Sequence, residues 1–316
     1  MSSEGLSYAA AGVDIEAYER ALERVKPLIA ATHGREVAQG VGPFAGTYAL
    51  PGGGHLAASA DGVGTKIKVA IATGRHRVIG ADIVNHCVND IATAHARPLF
   101  FLDYFATGKL DPSVFAQVVE GMTEACQAAG CALLGGETAE MPGVYALGDY
   151  DLAGFIVGMV EEGARDAVAP GDVLLGLRSS GLHTNGYSLA RKVFEGVAMT
   201  DDLAAALMAP HLSYLDVLRG LSWKAAAHIT GGGIPGNLPR CLPDGLAASI
   251  EKRAWKPNPI FDEIRRRGRV SDDEMWGTFN MGLGMIVVVD PKKVPKDALV
   301  VGEVVRQSGP ERVSFS

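Results

Sequence analysis

The residues most able to do chemistry in this sequence follow an apolar segment and read Ser59-Ala60-Asp61-Gly62-Val63-Gly64-Thr65-Lys66. Asp61 offers hard oxygen to a divalent cation, and Gly62 and Gly64 let backbone N–H groups approach an anion. Thr65 adds a hydroxyl and Lys66 a positive charge. Together they predict a site for a polyphosphate and its metal ion. The run differs from the Walker-A pattern, and an Asp-Gly pair is also typical of a plain surface turn.

A second group of polar side chains lies on one arc of a predicted helix over residues 82–94. The arc holds Asp82, Asn85, His86, Asn89 and Asp90, and the opposite arc is apolar. This segment contains no lysine or arginine, unlike a typical solvated helix face. We interpret the arc as a face of ligand-type side chains with Asp90 as the metal candidate; a merely hydrated face is the alternative.

A third acidic group follows the apolar pair Leu133-Leu134 and reads Gly135-Gly136-Glu137. A strand, a glycine pair and then a carboxylate can hold an oxygen ligand rigidly. Three close carboxylates repel one another unless a cation lies between them. Asp61, Asp90 and Glu137 therefore predict an Mg²⁺ site that faces a triphosphate.

The second half contains two glycine-containing segments that lead from strand-like runs toward helices, at 179–188 and 228–237. Asn185 and the triplet Gly231-Gly232-Gly233 predict anion binding by backbone and amide groups, with simple helix capping by Asn185 or Ser180 as the alternative in the first segment. His183 and His228 are candidates for moving a proton, together with Lys66 as the third catalytic candidate. A single histidine is more often structural.

The elements that must position these residues follow from hydrophobic periodicity. Apolar residues at helical spacing after Asp14 predict a helix over 15–31, and strand-like and helical patterns then alternate. Charges, glycine and proline interrupt the apolar pattern at 161–172. The sequence thus predicts an α/β (α+β) protein with an N-terminal domain at 1–165 that carries the predicted polyphosphate site and a C-terminal domain at 166–316 that carries the second group of anion-binding segments.

Composition narrows the class of protein. The 316 residues carry a formal net charge of −7 and 47% hydrophobic residues. An acidic balance argues against nucleic acid or an anionic membrane as partner, and no apolar run is long enough to span a bilayer. We expect a cytoplasmic protein, since no targeting segment is recognisable. The four cysteines show no C-x-x-C spacing and predict buried thiols.

Several longer stretches carry a resemblance to one family. They are residues 8–14, 61–66, 87–90, 100–104, 106–110, 135–143, 185–189, 228–233 and 278–282. Through them nearly the whole chain resembles the aminoimidazole ribonucleotide synthetase family, also called phosphoribosylformylglycinamidine cyclo-ligases. One departure is Pro210-His211-Leu212, where the family commonly has Pro-Thr-Arg, and this bears on substrate contacts from that segment.

The resemblance implies a ligase of purine biosynthesis. Its members close formylglycinamidine ribonucleotide, a small molecule, to aminoimidazole ribonucleotide, and they use ATP with Mg²⁺ and release ADP and phosphate. It also implies that Asp61, Asp90 and Glu137 hold magnesium. The fold that it implies is a homodimer in which the N-terminal strands of both copies form a β-barrel, beside a C-terminal mixed sheet with helices.

The sequence leaves two alternative functions open. A sibling kinase-type enzyme of the same superfamily would lack the 137–143 signature, and a non-catalytic nucleotide-binding paralogue would have lost some acids or Lys66. The sequence does not identify the general base or a need for monovalent ions. Nor does it say which glycine loop holds which phosphate.

Overall fold

Two mixed six-stranded sheets, one from each half of the chain, form the framework of the protein. The structure, a computed structural model, describes residues 5–161, 163 and 166–316. The elements of the first half are α1 Ile15–Ala30, β1 Val37–Gln39, β2 Gly46–Ala49, β3 His55–Gly62, α2 Lys66–Thr73, α3 His76–Thr93, β4 Ala96–Thr107, α4 Pro112–Ala129, β5 Ala132–Glu140 and β6 Tyr150–Val160.

The first sheet has the strand order β1-β2-β3-β6-β4-β5. Only the β4–β5 pair is parallel, and the other pairs are antiparallel. Helix α3 packs against β3, β4 and β6, and α4 packs against α3. Strand β5 is therefore an edge strand of this sheet within one chain.

Local sequence signals explain where the helices begin and end. The Asp14 carboxylate accepts a hydrogen bond from the backbone N–H of Ala17, which confirms the predicted start of α1. Asp111 caps α4 in the same way, and Gly130 ends it in the left-handed conformation with φ of 69°. Helix α4 covers 112–129 as the apolar periodicity predicts.

Strand β5 is longer than its apolar run indicates. The sequence predicts a strand at 132–134 followed by a glycine turn, but β5 continues to Glu140. A register shift next to Gly135 marks a bulge, beyond which β5 pairs with β4 as far as Thr107. Because β4 supplies a continuous row of backbone partners, the glycine pair bends the strand without ending it.

The second half contributes β7 Val173–Arg178, α5 Tyr187–Val193, α6 Asp201–Leu207, α7 Leu215–Gly220, β8 Ala225–His228, α8 Gly233–Asn237, β9 Leu246–Ile250, α9 Pro259–Gly268, α10 Asp272–Thr278, β10 Leu283–Val289, β11 Val300–Arg306 and β12 Val313–Phe315. Its sheet order is β12-β9-β11-β7-β10-β8, with only β12–β9 parallel. Every residue of β10 is buried, so this strand is the centre of the second core.

These features confirm the predicted mixed α/β class and the mixed C-terminal sheet with helices. The barrel across a dimer stays a prediction. The predicted boundary beside residue 165 lies outside the described residues. Within the described part of the chain, none of the helices combines the length and apolarity needed to cross a membrane.

Candidate functional site

The predicted polyphosphate loop joins a strand end to a helix start. Asp61 and Gly62 end β3, and α2 begins at Lys66. The loop turns through Gly64, whose φ of 70° favours glycine. Asp61 Oδ1 accepts a 2.7 Å hydrogen bond from the N–H of Gly62, and its side chain keeps 38% exposure. Asp61 is thus a fixed carboxylate that solvent and ligands can reach.

Lys66 points into the protein. Its Nζ lies 2.6 Å from Asp82 Oδ2 and donates a 2.7 Å hydrogen bond to the carbonyl oxygen of Ala209. Both charged side chains are completely buried. Lys66 therefore links α2, α3 and the second half, and its contact with a phosphate would require it to leave Asp82.

The polar arc of α3 packs against the second half of the chain. Asp82 Oδ1 accepts a hydrogen bond from the backbone N–H of His211 at 2.7 Å, and Asn85 Nδ2 donates to the carbonyl of His211 at 2.8 Å. Asn89 Oδ1 accepts from the N–H of Tyr214 at 2.8 Å. The alternative of a merely hydrated face is wrong, because these groups form a polar interface between the halves.

Asp90 and two histidines meet at the centre of this interface. Asp90 Oδ1 lies 2.8 Å from His228 Nδ1, and Asp90 Oδ2 accepts a 2.9 Å hydrogen bond from Ser59 Oγ. His86 Nε2 lies 2.7 Å from Asp61 Oδ2 and 4.0 Å from Asp90 Oδ2. His86 thereby connects two carboxylates predicted as metal ligands, Asp61 and Asp90.

His211 occupies the other side of His228. The two Nε2 atoms are 3.0 Å apart, and His211 Nδ1 lies 3.2 Å from Thr184 Oγ1. His86 Nδ1 approaches the same hydroxyl at 2.8 Å. The departure at 210–212 thus contributes to a buried network that includes Asp90.

His183, the other predicted proton carrier, stacks on His211 with ring centroids 4.1 Å apart. Its backbone is left-handed, with φ of 60°. Its Nε2 accepts a long hydrogen bond from the N–H of Ser180 at 3.4 Å, and its buried Nδ1 has no partner among the described residues. His183 therefore belongs to the same cluster but lies farther from Asp90 along the network.

The surroundings shift the pKa values of these histidines in different directions. Burial lowers the pKa of His86, but the carboxylates of Asp61, Asp90 and Asp82 more than reverse this and raise its pKa to about 9. Burial and the neighbouring charged histidine and lysine groups hold the pKa values of His183 and His211 well below the usual value. Burial also lowers the pKa of His228 despite Asp90. Among these four histidines, His86 is therefore the one whose pKa is raised above its usual value.

Glu137 lies away from Asp61 within one chain. It belongs to the exposed edge strand β5 with Gly135 and Gly136, whereas Asp61 is on β3. Strands β6 and β4 separate them, and the pairing aligns Asp61 with Gly136 across the sheet. Three strand spacings are about 14 Å, too far for both carboxylates to bind one ion in a single chain.

Gly231 and Gly232 of the glycine triplet in the second half border a large cavity. Gly232 has φ of 89° and Gly233 has φ of 58°, and α8 begins there. A Cβ on Gly231 would lie 3.2 Å from Asn185 Oδ1, so these two predicted anion-binding residues are neighbours. The cavity, of about 1200 Å³, also contacts Ser59 and Ala60 of β3. The structure thus brings the 231–233 loop close to the strand that carries Asp61.

Sequence reasoning missed three contributors to the site. His86 and Asp82 were visible in the polar arc but had no assigned role, and His211 was visible only as a family departure. A signal that could have found the two histidines is the set of histidines at 86, 183, 211 and 228. All four are buried, yet their sequence separation hides that they touch.

Comparison with known proteins covers both halves. The family model described as AIR synthase related protein, N-terminal domain, matches residues 42–160, and its C-terminal counterpart matches residues 169–312. A phosphoribosylformylglycinamidine cyclo-ligase of Myxococcus xanthus strain DK1622 is 54% identical and spans 92% of this chain and 90% of its own. One from Synechococcus sp. strain CC9902 is 44% identical, with coverage of 95% and 96%.

Solved structures show the same fold at low identity. AaThiL complexed with AMPPCP and TMP has a TM-score of 0.65 at 14% identity and covers 98% of this chain and 93% of its own. Hydrogenase maturation protein HypE in complex with ATP has a TM-score of 0.62 at 16% identity, with coverage of 96% and 92%. From the family models and the high-identity relatives together, this chain belongs to the aminoimidazole ribonucleotide synthetase (phosphoribosylformylglycinamidine cyclo-ligase) family.

Proposed function

We propose that this protein is an ATP-dependent cyclo-ligase of purine biosynthesis that closes formylglycinamidine ribonucleotide to 5-aminoimidazole ribonucleotide and releases ADP and phosphate. The observation that carries the proposal is 54% identity to a named cyclo-ligase over 92% of the chain, with family-model matches in both halves. The acids, glycines and Lys66 of the predicted site are all present. A non-catalytic paralogue or a sibling kinase is therefore not favoured.

The chemistry requires positioning and charge neutralisation more than an enzyme nucleophile. An amide oxygen is a poor leaving group, so the γ-phosphoryl group of ATP is transferred to it and ADP departs. The amidine nitrogen of the substrate then attacks the activated carbon, the C–O bond breaks, and phosphate leaves with one proton released from nitrogen. Preorganised donors and cations stabilise the charge that develops in both steps.

The loop after β3 is the proposed ATP-binding segment. The backbone of Gly62 and Gly64 and the Thr65 hydroxyl would hold the triphosphate, and Thr65 Oγ1 lies 3.2 Å from Ser188 Oγ. Mg²⁺ usually keeps waters and substrate phosphates and needs only one or two protein carboxylates, a role that the exposed Asp61 fits. When bound, the ion neutralises phosphate charge. Lys66 supports this loop through its buried pair with Asp82.

Asp90 and Glu137 stay proposed as further magnesium ligands. Asp90 is already engaged by His228 and Ser59, so its role at the ion requires one of these contacts to open. Glu137 fits such a role only if a second copy places its exposed β5 edge near Asp61 of this chain, which favours a homodimer. The Gly135-Gly136 pair would approach the nucleotide from the same edge.

The second half is proposed to bind the ribonucleotide phosphate through Asn185 and the glycines at 231–233. His228 is the better placed of the two proposed proton carriers, because it contacts Asp90 directly. His183 is less well placed, since its contact with His211 is a ring stack and not a hydrogen bond along which a proton could move. We expect the enzyme to act in the cytoplasm on its small-molecule substrate.

The direct test supplies purified protein with formylglycinamidine ribonucleotide, ATP and Mg²⁺. We expect aminoimidazole ribonucleotide and ADP in equal amounts, detected by mass spectrometry and a coupled ADP assay. Asp90→Asn should keep the fold, by circular dichroism, and abolish turnover, whereas Asp216→Asn on the exposed surface of α7 should change neither. A folded wild-type dimer that binds ATP but forms no product would support the non-catalytic alternative.

A further inference from the structure

Two imidazoles and one carboxylate converge in the interface between the halves with the spacing of metal ligands. His86, Asp90 and His228 are all buried, and one ligand atom from each lies within 4.8 Å of the others. The closest pairs are His228 Nδ1 to Asp90 Oδ1 at 2.8 Å and His86 Nε2 to Asp90 Oδ2 at 4.0 Å. Ligand atoms around a four-coordinate ion are about 3.3–3.6 Å apart, which lies between these values.

The hydrogen-bond network determines which nitrogen of His211 accepts. Asn89 Oδ1 accepts from the N–H of Tyr214, and Asn89 Nδ2 donates to the carbonyl of Leu212, both at 2.8 Å. These two backbone bonds set the orientation of the amide. The second Nδ2 hydrogen is directed at His211 Nε2, 3.2 Å away. His211 Nε2 is therefore an acceptor.

His228 lies next to this nitrogen of His211. Its Nε2 lies 3.0 Å from His211 Nε2, and in the tautomer in which His211 Nε2 accepts from Asn89, the single lone pair of that nitrogen is shared with a proton on His228 Nε2. In a neutral imidazole the other nitrogen then carries a lone pair. That nitrogen, Nδ1, faces a carboxylate oxygen of Asp90 at 2.8 Å. Two acceptors at this distance need a positive charge between them, either a proton or a metal ion.

Both imidazoles also have the supporting contacts that metal-bound histidines require. A metal-bound histidine almost always donates its other ring N–H to an acceptor. His228 Nε2 has His211 Nε2 for this purpose, and His86 Nδ1 has Thr184 Oγ1 at 2.8 Å. His86 and His228 therefore each have a partner for the ring nitrogen that does not face the metal position.

We propose that His86, Asp90 and His228 bind a divalent transition-metal ion at the interface between the two halves. Imidazole nitrogens favour Zn²⁺, Co²⁺ and related ions, whereas Mg²⁺ prefers oxygen alone. Asp61, whose Oδ2 is 2.7 Å from His86 Nε2 and whose side chain is 38% exposed, provides a further oxygen beside the site. This site adds two nitrogen donors to Asp90 and Asp61, the carboxylates proposed above as magnesium ligands, and its presence does not depend on the cyclo-ligase activity.

The test titrates the metal-free, full-length protein with Co²⁺ and follows the visible absorption of the ion, with Zn²⁺ as competitor. We expect one ion per chain, a Co²⁺ spectrum typical of nitrogen and oxygen ligands, and affinity about 100-fold or more above that for Mg²⁺. His86→Gln and His228→Gln should each weaken binding by about 100-fold. His211→Thr, which removes an outer partner only, should weaken it by about 10-fold.

His55→Gln is the matched control, since His55 is an exposed histidine at the start of β3. It should bind Co²⁺ like the wild type. Wild-type protein that binds Co²⁺ no more tightly than Mg²⁺ would overturn the proposal without reference to any variant. Unchanged binding in both His86→Gln and His228→Gln would also overturn it, because the ion would then lie elsewhere.

A parallel cyclo-ligase assay separates this inference from the proposed function. Tight Co²⁺ binding without product formation would leave the metal site standing and remove the enzymatic proposal. Product formation by protein that lacks tight Co²⁺ binding would support the enzymatic proposal and overturn the metal site. The positive charge between His228 and Asp90 would then be a proton.

Discussion

Lys66 and Asp82 form an ion pair in which both side chains are completely buried, with 2.6 Å between Nζ and Oδ2. The pair joins the helix after the proposed ATP loop to the helix that carries Asp90. Burial lowers the pKa of Lys66 and raises that of Asp82, and each partner opposes the shift of the other. The loop and the interface between the halves are therefore coupled energetically.

Removal of one partner should be strongly destabilising. We expect Asp82→Asn to lower the free energy of unfolding by about 3–5 kcal/mol, because it leaves the Lys66 charge buried and unpaired. Urea unfolding measures this. The double variant Lys66→Met/Asp82→Leu should recover much of the loss. If Asp82→Asn alone is as stable as the wild type, the pair does not hold the halves together.

The glycine triplet should show a packing role that is separate from ligand binding. A Cβ on Gly233 would lie 1.9 Å from the carbonyl oxygen of Trp276, at a left-handed φ of 58°. We expect Gly233→Ala to lower the free energy of unfolding by about 2 kcal/mol or more. Gly236→Ala in the same short helix meets open space and should change it by less than about 0.5 kcal/mol. Equal stability of the two variants would contradict this packing argument.

The metal-free protein should lose stability at alkaline pH, because the stabilising charge of His86 is lost there. The folded-state pKa of His86 is about 9, above its usual value, so its contribution is complete below pH 6.5 and is lost as pH rises through 9. The full contribution is about 3 kcal/mol. Unfolding in the presence of a chelator should show this loss in wild type and in His55→Gln, but not in His86→Gln. The same alkaline slope in all three proteins would show that His86 is not responsible.

The exposed edge of β5 should be the surface through which two copies associate. Leu134 on this strand is 63% exposed, and β5 has a strand partner on one side only. A charge there should oppose strand pairing and apolar contact. We expect a wild-type dimer and a largely monomeric Leu134→Glu by sedimentation. Val217→Glu on α7 should remain dimeric, and a dimer that survives Leu134→Glu would place the interface elsewhere.

Elements with a strong local signal were predictable from the sequence. Helix α4 has a capping Asp111, a proline at its first position and a terminal Gly130, so its bounds depend on neighbouring residues alone. The family motifs were equally recognisable from the sequence, because each is long and they follow one another in a fixed order along the chain. The length of β5 was not, since its extension beyond Gly135 depends on hydrogen bonds from β4.

The sequence by itself determined the mixed α/β class, the two-part organisation, the family and the acids and glycines of the proposed ATP loop, because periodicity and ordered motifs are local properties. Only the tertiary structure decided that Lys66 is buried against Asp82, that Glu137 lies three strands from Asp61, and that Asp90 meets His86 and His228. Those relationships join residues distant in the chain. They arise from sheet order and from the packing of α3 against the second half, which no local pattern encodes.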